Sequence, residues 1–118
     1  MRNHAPSVAA NPEFRRWWER AGRRGASPAT ATALWRVRNG ADVRSLLGAI
    51  RSPTLVLHRL HSRVVPLQHG AFLARHIRSA RFIELDGADQ PPFTEDAATI
   101  ADSITDFVGD VAATVASR

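Results

Sequence analysis

The chain has 118 residues, 44% of them hydrophobic and 23% charged, which is enough for one compact domain and excludes wholesale disorder. Cysteine is absent, so disulfides, thiolate zinc sites and a cysteine nucleophile are excluded together. No apolar run approaches the ~20 residues that cross a bilayer, and the amino terminus has no hydrophobic signal core. We therefore expect a soluble, cytoplasmic protein without membrane contacts.

The positive charge of the chain comes from arginine alone. Sixteen Arg and no Lys stand against eleven acidic side chains, a net charge of +5. Two Arg-rich stretches, residues 15–24 and 36–51, can neutralise a phosphate backbone. Acidic residues are interspersed, which favours ordinary solvated faces. A nucleic-acid-associated module is kept as an alternative function.

The sequence before Pro53 predicts a leader followed by three helices. Residues 1–10 have no apolar periodicity and are predicted to be disordered. Asn11 is predicted to cap a first helix and Ser27 a second, each followed by proline at the first helical position. Asp42 is predicted to cap a third, short helix that precedes Pro53. The aromatic and apolar spacing of the first two helices favours packing as a hairpin.

The pattern changes at Pro53 to alternating strands and helices. Residues 54–58 and 81–85 are short apolar runs that predict strands, and a helix from Pro66 connects them. Such a connection predicts a parallel pair with a right-handed crossover. A long apolar face then predicts a last helix from Thr94 onward, with acidic residues in its first turn. The predicted class is α/β.

Segments from residue 42 to residue 89 resemble the carboxyl-terminal part of an α/β-hydrolase fold protein. The resemblance is closest to actinobacterial hydrolase-like domains associated with adenylate cyclase or regulatory modules. The segments that carry it are Asp42-Val43-Arg44, Ile50 to Arg59, Arg63-Val64-Val65-Pro66, Gly70 to Ala74 and Ala80 to Asp89. The resemblance implies lid-like helices over residues 11–50 and a βαβα unit over 53–116. Residues 11–118 would then form one truncated domain.

The resemblance also implies where a catalytic triad would lie. The position of the triad acid is Ser62, and that of the triad histidine is Gln90. A Gln amide cannot accept the proton of a nucleophile, and a Ser hydroxyl supplies no charge to orient an imidazole. The Gly-x-Ser-x-Gly nucleophile turn does not occur in this sequence. We therefore expect no catalytic residues and no hydrolase activity.

Other candidate sites are weaker. His58 and His61 have a spacing that suggests a metal pair, but no nearby residues complete a ligand set, and solvated or capping roles are favoured. Ser62 beside His61 suggests a displaced nucleophile and base, without a third group to orient the ring. The three tryptophans, Trp17, Trp18 and Trp35, suggest a stacking platform for single-stranded nucleic acid. We expect neither metal nor cofactor.

The expected function is a non-catalytic remnant or binding module derived from an α/β-hydrolase. One alternative is the Arg-rich nucleic-acid module, and another is one half of a split, esterase-like hydrolase. A parallel pair of strands leaves backbone groups unpaired along its edge. We therefore expect a homo-oligomer or a protein partner that docks through the open edge formed by Thr54, Leu55, Val56 and Leu57.

Overall fold

A computed structural model describes the whole chain from Met1 to Arg118. The main elements are α1 (Pro12–Gly25), α2 (Pro28–Gly40), β1 (Thr54–Arg59), α3 (Leu67–His76), β2 (Ala80–Leu85) and α4 (Ala97–Ala116). Two short 3-10 helices, Pro6–Val8 and Arg44–Ala49, precede α1 and β1 respectively. Helices thus combine with a two-stranded parallel sheet, which confirms the mixed α/β class. None of the helices has both the length and the apolarity that crossing a membrane requires.

The starts of α1 and α2 form as their sequences predict. The Asn11 side chain accepts hydrogen bonds from the backbone N–H groups of Glu13 and Phe14. The Ser27 hydroxyl accepts from the N–H of Thr30. Each cap satisfies donors that a helix amino terminus otherwise leaves unpaired, and the proline that follows has no N–H to satisfy.

The sheet consists of β1 and β2 paired in parallel over their full lengths. Thr54 lies opposite Ala80, and Arg59 lies opposite Leu85. Helix α3 supplies the crossover and packs against both strands, whereas α4 packs against β1. The small core includes Leu47, Ile77, Leu85 and Ile100, all at most 9% exposed. The carboxyl ends of both strands therefore open on the same side of the sheet.

The predicted hairpin of α1 and α2 is wrong. Every residue of α2 is exposed, and Trp35 is 53% exposed without a ring partner among the other tryptophans. The reason lies in the connection, because Ala26 and Ser27 have extended backbone angles that lead α2 away instead of doubling it back. Helix α2 thus projects from the βαβα unit, whereas α1 and the 3-10 helix Arg44–Ala49 contact it. The molecule accordingly extends over 50 × 32 × 25 Å.

Residues 1–10, for which the sequence predicts a disordered leader, lie against the loop after β2. Ala5 is completely buried, and the N–H of Gln90 donates to the carbonyl oxygen of His4 at 2.6 Å. The His4 ring also lies 6.3 Å from that of Trp18, centroid to centroid. Apolar periodicity does not predict the order of this segment, because its contacts are mainly polar and are made with a loop that is distant in sequence.

Helix α4 begins at Ala97, later than the sequence predicts. Glu95 and Asp96 have positive φ angles of 33° and 55° and stand before the helix, not in its first turn. Glu95 points back into the loop, where its carboxylate accepts from the N–H groups of Ala88 and Asp89. Because the Glu95 carboxylate is bound by these loop amides, the helix does not extend back to include Glu95.

Gly70 permits the close approach of α3 to β1. A Cβ at Gly70 would lie 2.6 Å from His58 Nδ1 and 3.0 Å from His58 Cγ. We predict that Gly70→Ala lowers the free energy of unfolding by about 1–3 kcal/mol, because the imidazole ring itself must shift. Chemical denaturation of the purified protein measures this change.

The matched control is Gly109→Ala in α4, where a Cβ would meet nothing within 4 Å. Alanine there should raise stability by about 0.5–1 kcal/mol, because it is the better helix former. Equal effects of the two substitutions would contradict the close packing of Gly70 against His58.

Candidate functional site

The two loops that follow β1 and β2 meet at the carboxyl end of the sheet. Ser62 lies in the first loop and Gln90 in the second, 28 residues apart in sequence. The Ser62 hydroxyl donates to Gln90 Oε1 at 3.3 Å. The parallel register brings these positions together, because both strands end at the same edge. This edge is where open α/β sheets usually bind their ligands.

Ser62 is also part of the turn that leads to α3. Its hydroxyl oxygen accepts from the N–H groups of Val64 and Val65, at 3.4 and 3.2 Å. Such local bonds from a Ser side chain to the following backbone are typical of turns. The hydroxyl is thus engaged by backbone on one side and by the Gln90 amide on the other. A nucleophilic role with His61 has no support in this arrangement.

Arg59, the last residue of β1, holds the second loop in place. Its guanidinium donates to the carbonyl oxygens of Asp86 (2.8 Å), Thr94 (3.4 Å) and Glu95. The side chain is only 7% exposed, so these carbonyls replace the water that a buried cation loses. Both ends of the loop between β2 and α4 are therefore tied to the end of β1.

Gly87 and Glu95 close the same loop. Gly87 has a φ of +92°, a conformation that residues with a Cβ rarely adopt, and a Cβ there would overlap the Glu95 carboxylate. Glu95 Oε2 accepts from two consecutive N–H groups, those of Ala88 and Asp89, at 2.8 Å each. These contacts fix the backbone immediately before Gln90.

Asp89 is the most deeply buried polar side chain of the site, at 1% exposed. Its carboxylate accepts from the N–H of Ser7 at 3.0 Å and from the Ser7 hydroxyl. Burial on its own would raise the pKa of Asp89. The hydrogen bonds from Ser7, together with Thr94 and the charge of Arg59, outweigh burial and lower this pKa below its ordinary value. Asp89 is therefore a buried anchor for the amino-terminal segment and is not exposed to a substrate.

The space around Gln90 is small. A cavity of about 120 Å³ lies between the strand ends and α4, lined in part by Leu57, His58, Asp89 and Gln90. Small-molecule sites usually measure about 300–1,000 Å³. The larger clefts lie elsewhere, one of about 570 Å³ beside Trp18 and one of about 710 Å³ beside Phe107 at the amino end of β2.

The histidines do not converge. His58 Nε2 lies 2.9 Å from the carbonyl oxygen of Val65, which links β1 to the start of α3. His61 is mostly exposed and its Nε2 lies 3.9 Å from an Asp86 carboxylate oxygen. His76 Nδ1 lies 2.8 Å from the carbonyl oxygen of Phe72, and the two rings stack at 3.9 Å. No group of three or more His, Asp or Glu side chains is placed to hold a metal ion.

The tryptophans likewise do not form one platform. Trp17 packs edge-on against Phe93, with ring centroids 5.8 Å apart, and also contacts Phe14. Trp18 lies near Phe14 and His4. Trp35 stands apart on α2, with the Arg38 guanidinium 5.3 Å from its ring centroid. The first two rings thus attach α1 to the loop before α4 and to the amino-terminal segment.

The sequence analysis singled out Ser62 and Gln90. It did not identify the residues that hold the loop around Gln90, which are Ser7, Arg59, Asp89 and Glu95. One signal was present, since an Arg at the end of an apolar strand is expected to need polar partners, and Arg59 directly follows five half-buried strand positions. Ser7 and Asp89 are 82 residues apart in sequence, and the residues around each of them do not predict that they pair.

No protein-family model matches this chain, and no curated protein matches it either.

The pairing of Asp89 with Ser7 makes a prediction about acid stability. We expect Asp89→Asn to lower the free energy of unfolding at pH 7 by about 2 kcal/mol, since the amide loses charge-assisted bonds. A lowered pKa contributes stability above the ordinary aspartate pKa of about 3.9 and loses it as pH falls through the lowered value. The difference between wild type and Asp89→Asn should therefore be constant from neutral pH to about 5 and shrink below about 4.

Denaturation curves at a series of pH values measure this difference. Ser7→Ala is the partner variant and should raise the pKa of Asp89, which carbon-13 NMR of the carboxyl reports. A stability difference between wild type and Asp89→Asn that persists unchanged into acid would contradict the assignment.

Proposed function

We propose that this chain is a non-catalytic binding module derived from an α/β-hydrolase. The observation that carries the proposal is the hydrogen bond between Ser62 and Gln90 at the ends of two parallel strands. The resemblance assigns the triad acid and the triad histidine to these two positions. In an active hydrolase the acid and the histidine are hydrogen-bonded to each other. The hydrogen bond between Ser62 and Gln90 therefore supports the proposal, although it joins a hydroxyl to an amide.

The chemistry of the pair argues against hydrolysis. Neither a hydroxyl nor a primary amide has a pKa that lets it act as a base near neutral pH. Ser62 and Gln90 occupy the positions that the resemblance assigns to the triad acid and the triad histidine. A nucleophile supplied by a second polypeptide would therefore still lack a histidine to act as its base. The split-hydrolase alternative is disfavoured for this reason. The cavity at Gln90 is also smaller than a usual substrate pocket.

The binding part of the proposal rests on the open edge of β1. The N–H of Thr54 bonds to the carbonyl of Ser79, and that of Leu60 bonds to the carbonyl of Leu85. Because alternate residues of a strand point their backbone groups to opposite sides, those of Leu55 and Leu57 point away from β2. These groups need a hydrogen-bonding partner, and we propose an extended strand of a protein partner that pairs with β1.

The nucleic-acid alternative retains one supporting observation. The seven arginines of α1 and α2 are exposed and none forms an ion pair. Two of the three tryptophans are already packed against other rings, which leaves Trp35 alone for stacking. Binding through charge alone should weaken about tenfold or more between about 0.05 and 0.2 M salt. Undetectable binding of duplex DNA at low salt, measured by fluorescence anisotropy, would remove this alternative.

A pair of substitutions tests the triad-like geometry. We expect the imidazole in Ser62→Asp/Gln90→His to have a pKa about one unit higher than in Gln90→His alone, because a carboxylate at hydrogen-bond distance stabilises the imidazolium. Nitrogen-15 NMR titration of the ring measures both values. Neither variant nor the wild type should hydrolyse short acyl esters above the rate in buffer.

Ser62→Asn/Gln90→His is the matched control, since it keeps the size of the acid without its charge. Equal imidazole pKa values in all three variants would mean that the two loops do not meet as described. Ester hydrolysis that survives Ser62→Ala and Gln90→Ala would reveal a different active site and overturn the non-catalytic proposal.

Amide hydrogen exchange tests the open edge. In the purified chain we expect slow exchange at Val56 and His58, whose N–H groups bond to β2, and fast exchange at Leu55 and Leu57. A partner strand should slow exchange at Leu55 and Leu57, and Leu57→Pro should prevent this because proline has no N–H to donate. Equal protection of all four amides in a monomeric sample would show that the edge is already covered.

A further inference from the structure

A cleft of about 570 Å³ lies where the amino-terminal segment, α1 and the loop after β1 meet. Its volume falls within the range of about 300–1,000 Å³ that small-molecule sites usually have. Arginines from three parts of the chain line it: Arg2 in the amino-terminal segment, Arg15 in α1 and Arg63 in the loop. Neither Ser62 nor Gln90 lines this cleft, so it is separate from the contact that they form.

The three arginines of this cleft have no counter-ion within the chain. All are exposed, and none forms an ion pair. The one acidic residue that lines the cleft is Glu19, so three guanidinium groups face one carboxylate there. Positive charges that converge on a concave surface repel one another and attract an anion. The cleft therefore favours a ligand with more than one negative charge.

Helix α1 contributes three neighbouring side chains to the cleft. Arg15, Trp18 and Glu19 have the spacing i, i+3 and i+4, which places them side by side on one face of a helix. A smaller recess of about 230 Å³ shares Arg15 and Glu19 with the cleft and is also lined by Arg16. Basic, aromatic and acidic groups are thus available to one ligand from a single side of α1.

The backbone segments that carry the other two arginines are fixed by hydrogen bonds. In the amino-terminal segment, two N–H groups of the first turn donate to the carbonyl oxygen of Met1, at 2.9 Å each. Ser7 binds the buried Asp89, which attaches this segment to the loop after β2. Arg63 lies within the hydrogen-bonded turn that leads to α3. Because these segments are ordered without a ligand, binding costs less conformational entropy.

Trp18 forms an aromatic wall of the cleft. The rings of Phe14 and His4 lie 6.0 and 6.3 Å from its ring, tilted by 34° and 48°. They occupy part of the indole and leave no platform for successive bases, but neither lies flat on it, and Trp18 also lines the cleft. The half-buried indole therefore suits contact with one planar ring of a single ligand molecule.

We propose that this cleft binds a nucleoside diphosphate, with its base against Trp18 and its phosphates at the three arginines. Guanidinium groups bind phosphate oxygens through paired N–H donors. A diphosphate can engage three guanidinium groups at once, whereas a single carboxylate leaves at least one of them without a partner. Glu19 accepts hydrogen bonds from the sugar hydroxyls, because a carboxylate is an acceptor only.

This site does not depend on the binding proposed at the edge of β1 or on the hydrolase resemblance. No residue of β1 lines the cleft. The N–H groups of Leu55 and Leu57 are therefore unaffected by a ligand bound there. The two proposals can fail separately, since one is measured by amide exchange in β1 and the other by titration with a nucleotide.

Titration calorimetry with ADP tests the site. Wild type should bind one ADP per chain, with a Kd of about 1–100 µM at low ionic strength. Adenosine and inorganic pyrophosphate should each bind at least about tenfold more weakly, because adenosine has no phosphates for the arginines and pyrophosphate has no base for Trp18.

Two charge variants show where the ligand binds. Arg15→Gln/Arg63→Gln removes two cations of the cleft and should raise the Kd for ADP at least about 30-fold. Arg20→Gln/Arg24→Gln is the matched control, since both arginines lie on the opposite side of α1 and line neither the cleft nor the recess. It should leave Kd within about threefold of wild type. All four arginines are exposed and unpaired, so both variants should fold, as circular dichroism will verify.

Nitrogen-15 NMR locates the ligand without any substitution. ADP should shift the indole N–H signal of Trp18, because this ring lines the cleft. It should leave the indole signal of Trp35 unchanged, because Trp35 stands apart on α2 beside Arg38. A shift of the Trp35 signal alone would contradict the assignment of the base to Trp18.

Three further results would overturn the proposal. One is the absence of ADP binding at about 1 mM and low salt. A second is pyrophosphate binding as tight as that of ADP, which would mean that the cleft holds a polyanion without contacting a base. The third is an equal loss of affinity in both charge variants, which would mean that ADP binds through the general positive charge of α1, as the nucleic-acid alternative requires.

Discussion

The parallel pairing of β1 with β2 is the constraint on which the rest of the molecule depends. Because the strands run in the same direction, the loops after them leave the sheet side by side and bring Ser62 to Gln90. The same pairing requires a crossover, which α3 supplies, and the crossover requires the close contact of Gly70 with His58. Because the sheet has only two strands, the backbone groups on the outer side of β1 have no strand partner. The meeting of the two loops and the packing of α3 thus follow from the strand direction, and the open edge follows from the number of strands.

The loop between β2 and α4 is held by many hydrogen bonds. Arg59 binds three of its carbonyl groups, Glu95 binds two of its N–H groups, and Ser7 holds Asp89. In a hydrolase, support of this kind would hold a catalytic histidine in place. Here it holds a glutamine in contact with a serine. The loop is therefore held firmly around a hydroxyl–amide contact, neither group of which can act as a base near neutral pH.

The elements could be predicted from local signals, and the tertiary contacts could not. Asn11 and Ser27 cap helices because a side-chain oxygen meets nearby backbone, which is a property of a few consecutive residues. The amino-terminal segment and the buried Asp89 depend on a contact across 82 residues, which no periodicity records. The hairpin prediction failed because the amphipathic pattern of α2 shows that the helix has an apolar side and not which surface covers it. The resemblance singled out Ser62 and Gln90 as positions of interest, and only the structure shows that the two side chains are in contact.

Helix α2 shows the same limit of local signals. It exposes Leu34, Trp35 and Val37, and a helix of 13 residues is marginal in water without another surface packed against it. The extended backbone at Ala26 and Ser27 leads it away from α1, and no surface of the same chain covers it. The cap at Ser27 and the proline after it specify where this helix begins, because they act through a few consecutive residues. The surface that packs on the helix depends on contacts outside the segment, which its sequence does not record.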